Sequence, residues 1–159
     1  MIEPDSRRRF LAVAGAFTAA SLAPRAAAQS PAVRGSAEDM RAAIRKVTGG
    51  AEVRVGRVKV DLPPLVDNGN TVPLAVGVDS PMTAEDHVKA IHVFSERNPE
   101  PVMTSFHLGP RSGRALVATR VRLADTQNVV AIAQLSDGSF WSGSVHVVVT
   151  ISSCLEDLL

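Results

Sequence analysis

The chain has no tyrosine, one tryptophan and an aromatic fraction of only 4% over 159 residues. Aromatic platforms for stacking bases or sugars are therefore not available in number. It has one cysteine, Cys154, which excludes an internal disulfide and any C-x-x-C metal or redox pair. An excess of one charge is also missing. Seventeen Lys+Arg stand against 16 Asp+Glu for a net charge of +1, which leaves neither a nucleic-acid footprint nor an acidic tail. No G-x-S-x-G, phosphate loop or His-Glu-x-x-His occurs, so the common hydrolase, nucleotide and zinc-protease signatures are absent. The four histidines, His87, His92, His107 and His146, lack His-x-His or His-x3-His spacing and read as partly exposed strand or loop residues rather than ligands.

What is present is a hydrophobic fraction of 45%, enough for one ordinary core in a chain of this length. The first 28 residues read as an address. Ser6-Arg7-Arg8-Arg9-Phe10-Leu11 matches the twin-arginine pattern, an apolar run Ala12–Ala23 follows, and Ala26-Ala27-Ala28 offers a small-residue cleavage site. The run falls short of the roughly 20 apolar residues of a bilayer span. Removing residues 1–28 takes away four arginines and two acids, which turns the net +1 into −1; the basic excess belongs to the leader. Periplasmic localisation is the expectation. Twin-arginine export carries folded proteins, and with no cofactor motif in the chain a co-exported partner is favoured over a cofactor. In a compartment where disulfides form readily, an unpaired cysteine calls for a role.

After a linker over 29–35, Ser36 reads as a helix N-cap with Asp39 at the third helical position, and Met40, Ile44 and Val47 recur at helical spacing until Gly49-Gly50. Everything downstream is strand-like. Val53 and Val55 share one parity and Val58 and Val60 the other, so Gly56-Arg57 marks a bulge or tight turn. Pro63-Pro64 closes that run, and Asp67-Asn68-Gly69-Asn70 reads as a turn. Val72, Leu74, Val76 and Val78 alternate, with Pro73 indicating a strand start or an edge. Further strands are predicted over 88–96, 102–108, 114–123 and 128–135. Ser136-Asp137-Gly138 predicts a hairpin into a last strand whose inward positions are Val145, Val147, Val149 and Ile151. The fold class is all-β: an Ig-like antiparallel β-sandwich of about seven to eight strands over 36–151, preceded by a short N-terminal helix. The Cys-Trp-Cys framework of antibody domains is missing, so only the architecture is Ig-like.

Cys154 stands three residues beyond Ile151 in an eight-residue tail, 152–159. A lone cysteine is often a buried structural residue, but a position after the final strand favours an exposed thiol, able to form bonds reversible by exchange. A blue-copper site is excluded because only Leu155-Glu156-Asp157-Leu158-Leu159 follows the cysteine, with no His or Met.

Several segments resemble the SoxY family, the carrier subunit of periplasmic thiosulfate oxidation. They are Val66–Leu74, Val78–Met82, Lys89–Phe94, Phe106–Pro110, Thr119–Ala124 and Ser136–Trp141, in order over nearly the whole chain after the leader. The resemblance implies an Ig-like sandwich paired with a SoxZ subunit. It also implies a cysteine, in a Gly-Gly-Cys-Gly-Gly tail, that carries thiosulfate-derived sulfur between enzymes. A haem c complex loads it, a dimanganese thiosulfohydrolase releases sulfate, and in some systems a sulfane dehydrogenase oxidises what remains. The carrier is a substrate of each, not an enzyme, and holds no cofactor of its own. By this resemblance Cys154 is the attachment site.

Here the family's glycines are replaced. Ser152, Ser153 and Leu155 flank Cys154. At about 3.3 Å per residue the three steps from Ile151 still project the sulfur about 10 Å, on a wider and stiffer arm. Glu156 and Asp157 put negative charge beside the thiol, which disfavours the thiolate. Leu155, Leu158 and Leu159 have the spacing of one helical face that could dock on a partner, against the plainer reading, which a chain end favours, of a frayed terminus. The alternative reading is a paralogue that keeps the sandwich and the subunit interface as a binding or structural module, its carrier role lost or redirected.

Overall fold

The computed structural model describes residues 35–151. The leader over 1–28, nearly all of the 29–35 linker, and Ser152, Ser153, Cys154 and Leu155 lie outside the described residues. The helix α1 (Ala37–Thr48) begins where the sequence places it. Ser36 Oγ accepts the Asp39 amide at 3.2 Å while Asp39 Oδ2 accepts the Ser36 amide at 3.1 Å, so two orphan donors of the first turn are satisfied reciprocally. Gly49 in the left-handed region (φ 63) ends the helix.

Nine strands follow: β1 (Val53–Val55), β2 (Val58–Asp61), β3 (Leu65–Asn68), β4 (Val72–Val78), β5 (Val88–Ser95), β6 (Val102–His107), β7 (Leu116–Val121), β8 (Gln127–Leu135) and β9 (Phe140–Ile151). They form a six-stranded sheet, in which β9, β8, β5 and β6 lie side by side, and a three-stranded sheet in the order β2-β4-β7. The parity break at Gly56-Arg57 is a change of sheet. Gly56 (φ 123) and Arg57 (φ 56) turn the chain so that β1 joins one sheet and β2 the other. Pro73 is at both a strand start and a local edge: β2 reaches only to the pair Asp61–Ala75, so no ladder bond is lost on that side.

Two expectations are corrected. Asp67-Asn68, read as the start of a turn, instead end a strand, Leu65–Asn68, as Pro63-Pro64 carries the chain back to the larger sheet; the described strands therefore number nine rather than seven to eight. The expected all-β sandwich with its N-terminal helix is what the structure contains, and its ladders are mainly antiparallel, with two exceptions. Both β1 and β3 pair parallel with β9, in tandem along one of its edges.

The core lies between the sheets. Val72, Val76, Ile91, Val93, Leu123 and Val147 are buried there, the alternate positions that period-2 patterning assigns inward. A second, smaller cluster sits outside the larger sheet, where Met40 of α1 closes over Phe94, Ile132 and Phe140. The outer face of the three-stranded sheet has no such cover among the described elements. No described helix is long and apolar enough to cross a membrane.

Candidate functional site

The strand that leads to Cys154 is held along both sides. From Phe140 to Val147, β9 pairs with β8. On the other side β1 pairs with residues 140–142 and β3 with 148–151. Past the end of β8, Thr126 takes over: its Oγ1 accepts the Val149 amide at 3.0 Å. Thr150 Oγ1 donates to the Asp67 carbonyl at 3.0 Å. The last described residue is still anchored, since the Gly69 amide donates to the Ile151 carbonyl at 3.0 Å.

Gly69 is the joint of this assembly. Its carbonyl accepts the Leu123 amide at 2.8 Å while its own amide holds Ile151, so it ties the end of β7 to the end of β9. A Cβ at this position would stand 2.2 Å from the Leu123 carbonyl oxygen, inside any real contact. Asn68 Oδ1 shapes the turn by accepting the Asn70 amide at 2.8 Å. A network centred on Asn98 braces the same end. Asn98 Oδ1 accepts the Ala124 amide at 2.9 Å and the Gln127 side-chain amide at 3.1 Å, and Gln127 Oε1 accepts the Arg97 amide at 2.9 Å.

The expectation that Ile151 faces inward is corrected. Val149 is the last buried side chain of β9, whereas Ile151 is 53% exposed. Leu65 and Val148, paired directly across β3 and β9, are 59% and 40% exposed. Exposed apolar side chains thus occur on both faces of β9 over its last four residues.

The histidines are less scattered than their spacing suggests. His92 and His107 meet edge to face, with ring centroids 6.3 Å apart, on the outward side of the β5–β6 pair. His92 Nδ1 lies 2.8 Å from Ser105 Oγ. The antiparallel register, which pairs Ala90 with His107 and His92 with Ser105, makes the two rings diagonal neighbours. Sequence spacing misses this, because a bulge at Val93/Phe94 sets the register. Among the described residues no three His, Cys, Asp or Glu side chains converge as metal ligands. His146 Nδ1 is 3.1 Å from Asn128 Oδ1, and the backbone amide of His87 donates to Ser136 Oγ at 3.1 Å.

Burial, and secondly the neighbouring His107, hold His92 below the ordinary histidine pKa of 6.5. Folding therefore favours its neutral form, and the unfolded chain takes up this proton first. Its contribution to stability is present above the ordinary value and is lost as pH falls through it. In an NMR titration His92 should titrate below 6.5. His107→Gln should move it upward without restoring the ordinary value, since burial remains; an unchanged His92 would refute the coupling.

The family model for the sulfur oxidation protein SoxY matches residues 44–154, a span that ends on the cysteine. Among solved structures the chain is similar to the sulfur carrier protein SoxY from Chlorobium limicola f. thiosulfatophilum, at 26% identity and a TM-score of 0.60, covering 70% of this chain and 91% of that one. It is also similar to a superoxide reductase (neelaredoxin) from Ignicoccus hospitalis at 16% identity, TM-score 0.53, covering 59% and 80%. A putative superoxide reductase from Thermotoga maritima matches at 22% identity, TM-score 0.51, covering 62% and 87%. These two share the fold alone. Comparison with curated proteins gave no match.

Gly69→Ala should destabilise the domain by about 1–3 kcal/mol through forced displacement of backbone. Hydrogen exchange should show the Thr150 and Ile151 amides losing protection before those of Val145 and Val147. Uniform loss along β9 would show that Gly69 is not a local joint.

Proposed function

Because the chain belongs to the SoxY family of sulfur oxidation proteins, we propose that it is a sulfur carrier whose Cys154 thiolate is the attachment point. The observation that carries this reading is that the family match extends through residue 154, the one cysteine of the chain. The similarity to a solved SoxY sulfur carrier over most of that protein's length supports it. So does the anchoring of β9 to its last described residue, which fixes the starting point of a three-residue arm.

In the loading step the thiolate sulfur of Cys154 and the sulfane sulfur of thiosulfate join in an S–S bond, and the two electrons released pass to a haem c partner. Water then cleaves the terminal S–S bond at a dimanganese thiosulfohydrolase, releasing sulfate and two protons and leaving a persulfide on Cys154. A sulfane dehydrogenase oxidises the persulfide where one is present. The domain supplies the thiol and the surfaces; the redox and hydrolytic groups belong to its partners. Ser152, Ser153 and Leu155 form the arm and have no catalytic role. The chain is exported through its twin-arginine leader to the periplasm, in company with a SoxZ-like subunit.

The tail itself favours a second reading. With Ser152, Ser153, Leu155 and Glu156 where the family has glycines, and Asp157 beyond them, the fold can serve as a binding or structural subunit without carrying sulfur. The two are separated by incubating the purified pair with thiosulfate and the haem c coupling complex, then weighing the intact chain. Carriage predicts one reductant-labile thiosulfate adduct on the wild type and none on Cys154→Ser. If the wild type stays unmodified while a tail rebuilt with Ser152→Gly, Ser153→Gly, Leu155→Gly and Glu156→Gly loads, the structural role stands instead.

A further inference from the structure

A second feature lies at the opposite end of the sandwich from Ile151 and is independent of what Cys154 carries. The turn at Arg57, the end of β2 and the segment leading into β7 together line a shallow groove on the three-stranded sheet, with Arg57, Lys59 and Arg114 around it and Asp79 as its one acid. Its floor is flat because Gly77 lies between Lys59 and Leu116 in the sheet register. Leu116 is 57% exposed beside it.

These cations are poorly neutralised. Arg57 reaches Asp86 only at 4.0 Å and shares the charge of Asp137 with Arg54, while Lys59 and Arg114 make no ion pair or side-chain hydrogen bond with any described residue. Arg57 is moreover fixed in place. Its backbone holds φ 56, a conformation costly for a residue with a side chain. The Asp79 amide locks it by donating to the Arg57 carbonyl at 2.8 Å. Its guanidinium lies 5.4 Å from the centre of the Trp141 ring, with that of Arg54 at 5.7 Å. The turn that changes sheet thus also sets a cation beside an uncovered sheet face.

We propose that this groove is a docking surface for an acidic segment of a partner protein. A free small oxyanion in so open a site would meet each cation at nearly the dielectric of water, where a single pair gains little. A chain carrying several carboxylates sums over all three cations and can place an apolar side chain on Leu116. Position supports the same occupant. Gly77 is five residues along β4 from Val72, roughly 17 Å at strand rise, and Val72 is near the Gly69 joint. Three residues beyond Ile151 can reach no more than about 10 Å. A partner held at the groove therefore leaves the end of β9 uncovered.

The test is a titration of the isotope-labelled full chain with a poly-glutamate peptide and, separately, with sulfate, followed by amide shifts. The proposal expects saturable peptide shifts centred on Lys59, Gly77 and Leu116, weakening with salt. Lys59→Glu with Arg114→Glu should reduce affinity at least about tenfold, and the milder Lys59→Gln with Arg114→Gln should fall between. The charge-matched Lys89→Glu with Arg122→Glu should leave affinity unchanged. Shifts scattered over the surface, equal weakening by both charge-reversed pairs, or sulfate saturating the same amides as tightly as the peptide would each overturn it.

Discussion

The hydrogen bond from the Gly69 amide to the Ile151 carbonyl is the constraint on which the working end depends. A strand of twelve residues that lost its neighbour after Val147 would fray, and any reactive group beyond it would start from an undefined place. Instead β3 extends the ladder on the opposite edge, Thr126 replaces β8, and Gly69 closes the last bond. The chain achieves this by passing twice between sheets, so that β1 and β3 share one edge of β9. The parallel pairings follow from that route.

Those devices explain how a small domain with no catalytic constellation among its described residues supports sulfur chemistry. Its contribution is positional. The core between the sheets fixes β9, the Asn98–Gln127 network fixes the loops beside it, and Leu65, Val148 and Ile151 leave apolar side chains exposed toward the end of β9. The charged groove lies at the opposite end of β4 from Val72.

Much of this was legible in the sequence because local rules and global fold agree. The Ser36/Asp39 capping box, the alternation through β4 and the parity switch at Gly56-Arg57 each led to the element or turn that the structure contains. The SoxY resemblance rested on segments that fall within the matched span. What could not be read depends on register and on contacts distant in sequence. Leu65–Asn68 resembles a turn until β9 is placed beside it, because its pairing partner is more than eighty residues away. The His92–His107 contact requires the bulge in the β5–β6 ladder. The groove joins residues from three separated segments. Ile151 follows the inward parity yet is exposed, since no strand of the other sheet faces it where the core ends; parity alone carries no information on where a core stops.

Sulfur carriage requires an accessible Cys154 thiol beyond the anchored end of β9. This requirement is tested most directly by timing alkylation of Cys154 by a charged, membrane-impermeant reagent in the folded full chain and in denaturant. The account predicts rates that agree within about tenfold, as for an accessible thiol. Protection by several orders of magnitude, relieved only on unfolding, would contradict it.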